Sequence, residues 1–181
     1  MSYLKVTLLP ALLAIGAFSF AATSQSQRHS AIRSTSIRTN SWHGITPLVS
    51  SSADVAALLS APQVAPGVES SGPYRADGGE VTFSYVTPNE AKIYHAPDSL
   101  IGKVFTIYFR PDPPLKPASS IATGQFKRCD DKFDVRYYYY VSRDRGLAYQ
   151  IRKSTNEAEV VIYQPLHSEI MRLKVDTTCV F

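Results

Sequence analysis

The chain has 181 residues, 44% of them hydrophobic and 19% charged, with a formal net charge of +4. Four of its nineteen basic residues (Lys5, Arg28, Arg33 and Arg38) precede residue 42, while all fifteen acids follow it, so residues 42–181 are electrically neutral. A neutral body lacks the electrostatic footprint of a nucleic-acid binder, and its length suffices for one domain with its own core.

The first predicted element is a targeting segment, residues 1–21. Lys5 supplies a basic start, and residues 6–20 are apolar apart from Thr7 and Ser19. Ser19 and Ala21 then place small residues at the −3 and −1 positions of a cleavage site, the layout of a secretory signal peptide. A membrane span needs about 20 apolar residues, and Pro10 and Gly16 interrupt this run. No cysteine follows as a lipid acceptor. The expectation is a secreted or periplasmic protein whose mature chain begins near Ala22, with no stable membrane anchor after cleavage.

Residues 22–41 hold six Ser, three Thr and three Arg, with Ile32 and Ile37 as the only strongly apolar side chains. Such a stretch cannot offset its ordering entropy and reads as a disordered arm. Its charge would suit an anionic surface or a solvated spacer.

Residues 42–181 read as a single α+β domain. Residues 50–62 form the best helix: Ser51 is a cap, Asp54 completes a capping box, and Val55, Leu58 and Leu59 share a face. Residues 80–86 alternate with Val81, Phe83 and Tyr85 on one side, and Asp77-Gly78-Gly79 before them is a turn that pairs Tyr74-Arg75 back as a short strand. Residues 99–110 read as a longer strand, ended by the prolines of 111–117. A short helix is predicted near 118–122.

The stretch "DVRYYYYVS", residues 134–142, is the next strand. Period-2 counting puts Phe133, Val135, Tyr137, Tyr139 and Val141 on a core face. Asp134, Arg136, Tyr138, Tyr140 and Ser142 then occupy the other, partly exposed face. Tyr138, Tyr140 and Arg136 are therefore the candidate binding residues, since aromatic side chains and Arg are enriched at interfaces. The alternative for the exposed tyrosines is cross-strand packing. Residues 147–152 and 158–164 add two antiparallel strands and complete a meander. The two halves share turn and strand-end chemistry, "TIYFRP" against "VIYQP", which predicts two helix-plus-three-strand-meander repeats with short helices packed on antiparallel sheet.

Two cysteines, Cys129 and Cys179, in an exported chain predict a disulfide. It would close a loop of about 50 residues and contribute roughly 4 kcal/mol at most. No CxxC and no His/Cys cluster supports a redox pair or a metal site.

The motifs "WHGITPLVSSSADVAALLSAP", "YRADGGEVTFSYV", "LIGKVFTIYF" and "EVVIYQP" resemble an uncharacterised family of secreted bacterial proteins with a W-x-G-I-x-P-L start, then D-V-x-x-L-L-G-x-P. Ser60 stands where that pattern has Gly. The resemblance covers most of 42–179 and implies location and fold, but no activity. The first half is more distantly similar to the BamE (SmpA/OmlA) envelope domain, a lipoprotein adaptor in outer-membrane assembly. The missing lipid-acceptor cysteine sets this chain apart from that role.

A nucleophile elbow, H-E-x-x-H, a P-loop and G-x-G-x-x-G are all absent, and no cofactor is implied. His43, beside Trp42, reads as flanking a packed segment rather than as a catalyst. Asp130, Asp131 and Asp134 read as a solvated strand start rather than as a metal site. Glu157 and Glu159 adjoin a turn. The expected function is a non-catalytic envelope or extracellular module that binds a protein or envelope partner. The alternative is a small secreted hydrolase with an unrecognised active site.

Overall fold

The structure, a computed structural model, describes residues 40–116 and 125–172. The predicted signal peptide, the arm up to residue 39, the helix expected near 118–122 and Cys179 lie outside the described residues. Among the described residues no helix is long and apolar enough to cross a membrane.

The fold includes Asn40, two residues before the predicted start of the domain. Asn40 is fully buried and donates from Nδ2 to the Gln164 carbonyl at 3.0 Å. Next, Trp42 and Ile45 exchange both backbone hydrogen bonds across a two-residue turn. His43 (φ 48°) and Gly44 (φ 86°) are both left-handed there, as a tight primed hairpin turn demands. This turn drives Trp42 and Ile45, each 4% exposed, into the core. The W-x-G-I motif is thus a hairpin plug.

Helix α1 (Ser52–Leu59) carries the predicted capping box: Ser51 Oγ accepts from the Asp54 N–H, and Asp54 Oδ2 accepts from the Ser51 N–H at 2.7 Å. It ends at Ser60 in the left-handed region (φ 51°), the position where the resembled pattern carries Gly. Strands β1 (Ser70–Ala76) and β2 (Gly79–Tyr85) form the expected hairpin around Asp77-Gly78. Helix α2 (Pro88–Ile93) follows, capped by Thr87 and Glu90. A 3-10 turn at Asp98–Leu100 and a left-handed Gly102 (φ 78°) occupy the start of the predicted third strand, so β3 covers only Val104–Pro111. The second half supplies β4 (Lys127–Asp130), β5 (Tyr137–Ser142), β6 (Leu147–Arg152), β7 (Glu157–Tyr163) and α3 (His167–Arg172).

The seven strands make one antiparallel sheet in the order β1-β2-β3-β7-β6-β5-β4. Two meanders lie side by side and meet where β3 pairs with β7. One face carries the main core. Val81, Phe83, Tyr85, Val104 and Ile107 pack there against Val55 of α1 and the Trp42–Ile45 plug. Tyr85 satisfies its hydroxyl with Ser71 Oγ at 2.7 Å. The helices add to an antiparallel sheet, as α+β predicts.

Candidate functional site

Tyr137 to Tyr140 open β5, and successive rings point to opposite faces. The expected exposure, however, is corrected. Tyr138 is 5% exposed, Tyr139 is 7% and Tyr140 is half-buried, because both sides of this strand are covered. Tyr138 joins Ile151 and Ala158 in one cluster, while Tyr139 and Val141 join Cys129, Ala148, Val160 and Ile162 in another. Phe133 and Val135, expected in the core, are 90% and 78% exposed. Asp131 Oδ1 accepts from the Phe133 and Asp134 N–H groups at 2.8 and 3.0 Å, and Asp134 Oδ1 accepts from the Arg136 N–H at 3.0 Å. Side-chain oxygens thus take the donors that a strand would offer its neighbour, and β5 begins only at Tyr137.

The predicted trio is not assembled. Tyr138 and Tyr140 meet edge-on with centroids 5.3 Å apart, and the Tyr138 hydroxyl donates to Asn156 Oδ1 at 2.6 Å. Arg136 instead grips Asp134 through Nε and Nη2, at 2.9 and 2.6 Å. The cation over the Tyr138 ring is Arg128, 4.2 Å from its centroid. Arg128 lies opposite Tyr140 in the β4–β5 register. No β4 is predicted from the sequence, so this neighbour is invisible there.

The opposite sheet face offers the better site. One row across the sheet reads Thr82, Tyr108, Ile162, Ala148, Val141. Two open cavities, about 370 and 400 Å³, adjoin along this face and share Glu80 and Arg110. Thr82, Tyr108, Tyr139 and Gln150 line the first, and Tyr137, Arg152 and Glu159 the second. Tyr108 is 42% exposed. Arg152 binds Glu159 through both Nε and Nη2, and the Tyr137 hydroxyl donates to Glu159 Oε2 at 3.1 Å. The Tyr139 hydroxyl donates to Asp131 Oδ2 at 3.0 Å and accepts from Gln150 Nε2 at 2.9 Å. Alternation groups Glu80 with Thr82, Tyr108 with Arg110 and Tyr137 with Tyr139 within their strands, but Glu159 joins Arg152 only through the register shift of β6 on β7, and only the pairing of β3 with β7 brings the two halves of the trough together.

Burial and hydrogen bonds shift several groups of this trough. Burial, then the bond to Asp131, pushes the Tyr139 hydroxyl up to about 12. Burial likewise raises Tyr108. The Arg152 guanidinium holds the Glu159 carboxyl below its ordinary range. Burial opposes ionisation of Asp131, yet the Asp134 and Phe133 N–H groups and Tyr139 together lower it. Beside the trough, Arg136 brings Asp134 down to about 2. General acid–base work requires a group poised near the working pH, and each of these shifts leads away from neutrality.

His43 sits on the exposed plug turn, stacked edge-on against Trp42 at 4.6 Å and with Nε2 2.5 Å from Asp77 Oδ2. Cys129 is buried and is not a free thiol. Among the described residues no group of three or more His, Cys, Asp or Glu side chains is placed to hold a metal ion. No family model matches the chain, and neither a curated protein nor a solved structure matches it.

Proposed function

We propose that the protein is an exported, non-catalytic module of the cell envelope or extracellular space, and that it binds a protein partner in the trough around the exposed Tyr108 and Arg110, on the sheet face opposite the main core. The observation that carries this reading is the hydrogen-bonded geometry of that face, with Arg152 on Glu159, Tyr139 between Asp131 and Gln150, and Tyr108 and Arg110 exposed beside them. The Arg152–Glu159 pair, the bonded Tyr137 and Tyr139 hydroxyls and an arginine shared by two cavities make a fixed pattern of donors and acceptors. Such a pattern recognises a partner, whereas proton transfer needs groups that can change state. Tyrosine and arginine are also the residues that interfaces concentrate. The signal-peptide layout supports export, and the resemblance to a secreted family supports the same address.

The module reads further as two repeats related by a two-fold axis through the β3–β7 seam. Ile107 pairs with Tyr163 and Tyr108 with Ile162. The Ile-Tyr pair of each strand therefore lies against the Ile-Tyr pair of the other in inverted order, as such an axis requires.

Capture from envelope extract tests the binding role, with the Tyr108→Ser/Arg110→Ala variant as control and a broad hydrolase screen alongside. Both residues are exposed, so the variant should melt like the wild type while losing the partner. Substrate turnover that disappears in the variant would refute the non-catalytic reading.

A further inference from the structure

We infer that the end of the sheet carrying Phe133 docks reversibly on an anionic phospholipid surface. The β4–β5 connection projects Phe133 and Val135 almost fully into solvent. Their position is fixed by the loop's own bonds. Asp131 holds two backbone N–H groups, Asp134 holds Arg136, and the Lys153 N–H donates to the Arg136 carbonyl at 2.9 Å. Rings displayed on a prefolded loop lose little further freedom when they are buried.

The charges around the tip point to the kind of acceptor. The loop's carboxylates are each engaged: Asp131 by Tyr139 and the backbone, Asp134 by Arg136, and the exposed Asp130 by Arg128 and Lys153, each 3.6 Å away. Lys132, beside Phe133, is exposed and has no ion pair among the described residues. A second loop at the same end of the sheet repeats the combination. Leu115, 45% exposed, bridges to Ala158 near the start of β7 and is followed by the exposed Lys116. Two connections at this end thus each carry an exposed apolar side chain next to a lysine. A bilayer interface accepts that pair, with the apolar group at the acyl boundary and the ammonium among lipid phosphates. Two exposed apolar side chains on a short loop fit a fluid acceptor without a matching pocket.

The test uses the full chain with vesicles of phosphatidylcholine, alone or mixed with phosphatidylglycerol. The wild type should co-sediment with the mixed vesicles, and added salt should weaken this. Phe133→Ser/Val135→Ser should melt like the wild type and bind roughly tenfold or more weakly, since two side chains are no longer withdrawn from water. Phe133→Trp should shift its emission to the blue on the mixed vesicles, over a constant signal from Trp42, which is buried. The proposal is overturned if the wild type stays in the supernatant, or if the double variant binds equally, which would assign binding to the basic arm. It is also overturned if the double substitution abolishes self-association and leaves vesicle binding intact.

Discussion

Truncating Tyr138 and Tyr139 separately tests the two-sided cover of β5. On a strand with one wet face, neighbours differ: one truncation is costly and the next is nearly free. Here the rings are 5% and 7% exposed and belong to different clusters. Removing a buried aromatic costs about 3–5 kcal/mol, so Tyr138→Ala and Tyr139→Ala should each lose about 3 kcal/mol or more. Phe133→Ala, at 90% exposure, should stay within about 0.5 kcal/mol of wild type. Tyr139→Phe isolates the hydroxyl and should cost about 1–2 kcal/mol, the lower part of the range for a charged acceptor, because Asp131 is half-exposed. Urea melts read all four variants as midpoint shifts at constant slope. If Tyr138→Ala matches Phe133→Ala while Tyr139→Ala is severe, the Tyr138 face is open and the structure's cover of that face is wrong.

Three further outcomes follow from the same contacts. Ser60 caps α1 with φ 51°, so Ser60→Gly should relieve left-handed strain and raise stability by about 0.5–1 kcal/mol in a thermal melt; a loss would mean that the hydroxyl has a role there. The carboxyls of Asp131, Asp134 and Glu159 are lowered in the fold from 3.8, 3.8 and 4.5. Their stabilisation is therefore complete above those unfolded values and is lost as pH falls through the folded ones, about 2 for Asp134. The melting temperature should drop between roughly pH 4.5 and 2, and a flat profile there would contradict the bonds drawn to these groups. Finally, intact mass of non-reduced protein should lie two hydrogens below the reduced value through a Cys129–Cys179 bridge, and two alkylatable thiols in native protein would exclude it.

What the sequence reveals depends on how local the signal is. Ser51 with Asp54, and Asp77-Gly78, act within four residues, so α1 and the β1–β2 hairpin are readable before any packing is known. Helix α2 has the same kind of signal in Thr87, Pro88 and Glu90, yet apolar periodicity in six residues is too short to draw attention. β5 misleads for a different reason. Phe133 and Val135 continue its alternation in sequence, while Asp131 and Asp134 quietly withdraw the backbone donors that pairing would need. Alternation shows which side chains share a face, but it cannot say whether that face is covered. Tyr138 is buried by Ile151 and Ala158, residues whose approach depends on the register of two other strands.

The trough exposes the same limit from the functional side. Tyr108 and Arg110 belong to the first meander, and Gln150, Val160 and Ile162 to the second, so no local motif spells the site. It exists where β3 meets β7, and that seam is short. Three residue pairs join β3 to β7, against seven between β2 and β3 and six between β6 and β7. A partner seated across the seam would touch both meanders and favour the joined state over any in which they separate. Binding energy and sheet closure would then be linked, each stabilising the other by mass action. A site built from two halves at so short a junction would hold the proposed partner through the bonded tyrosines and the Arg152–Glu159 pair, without any residue of unusual reactivity.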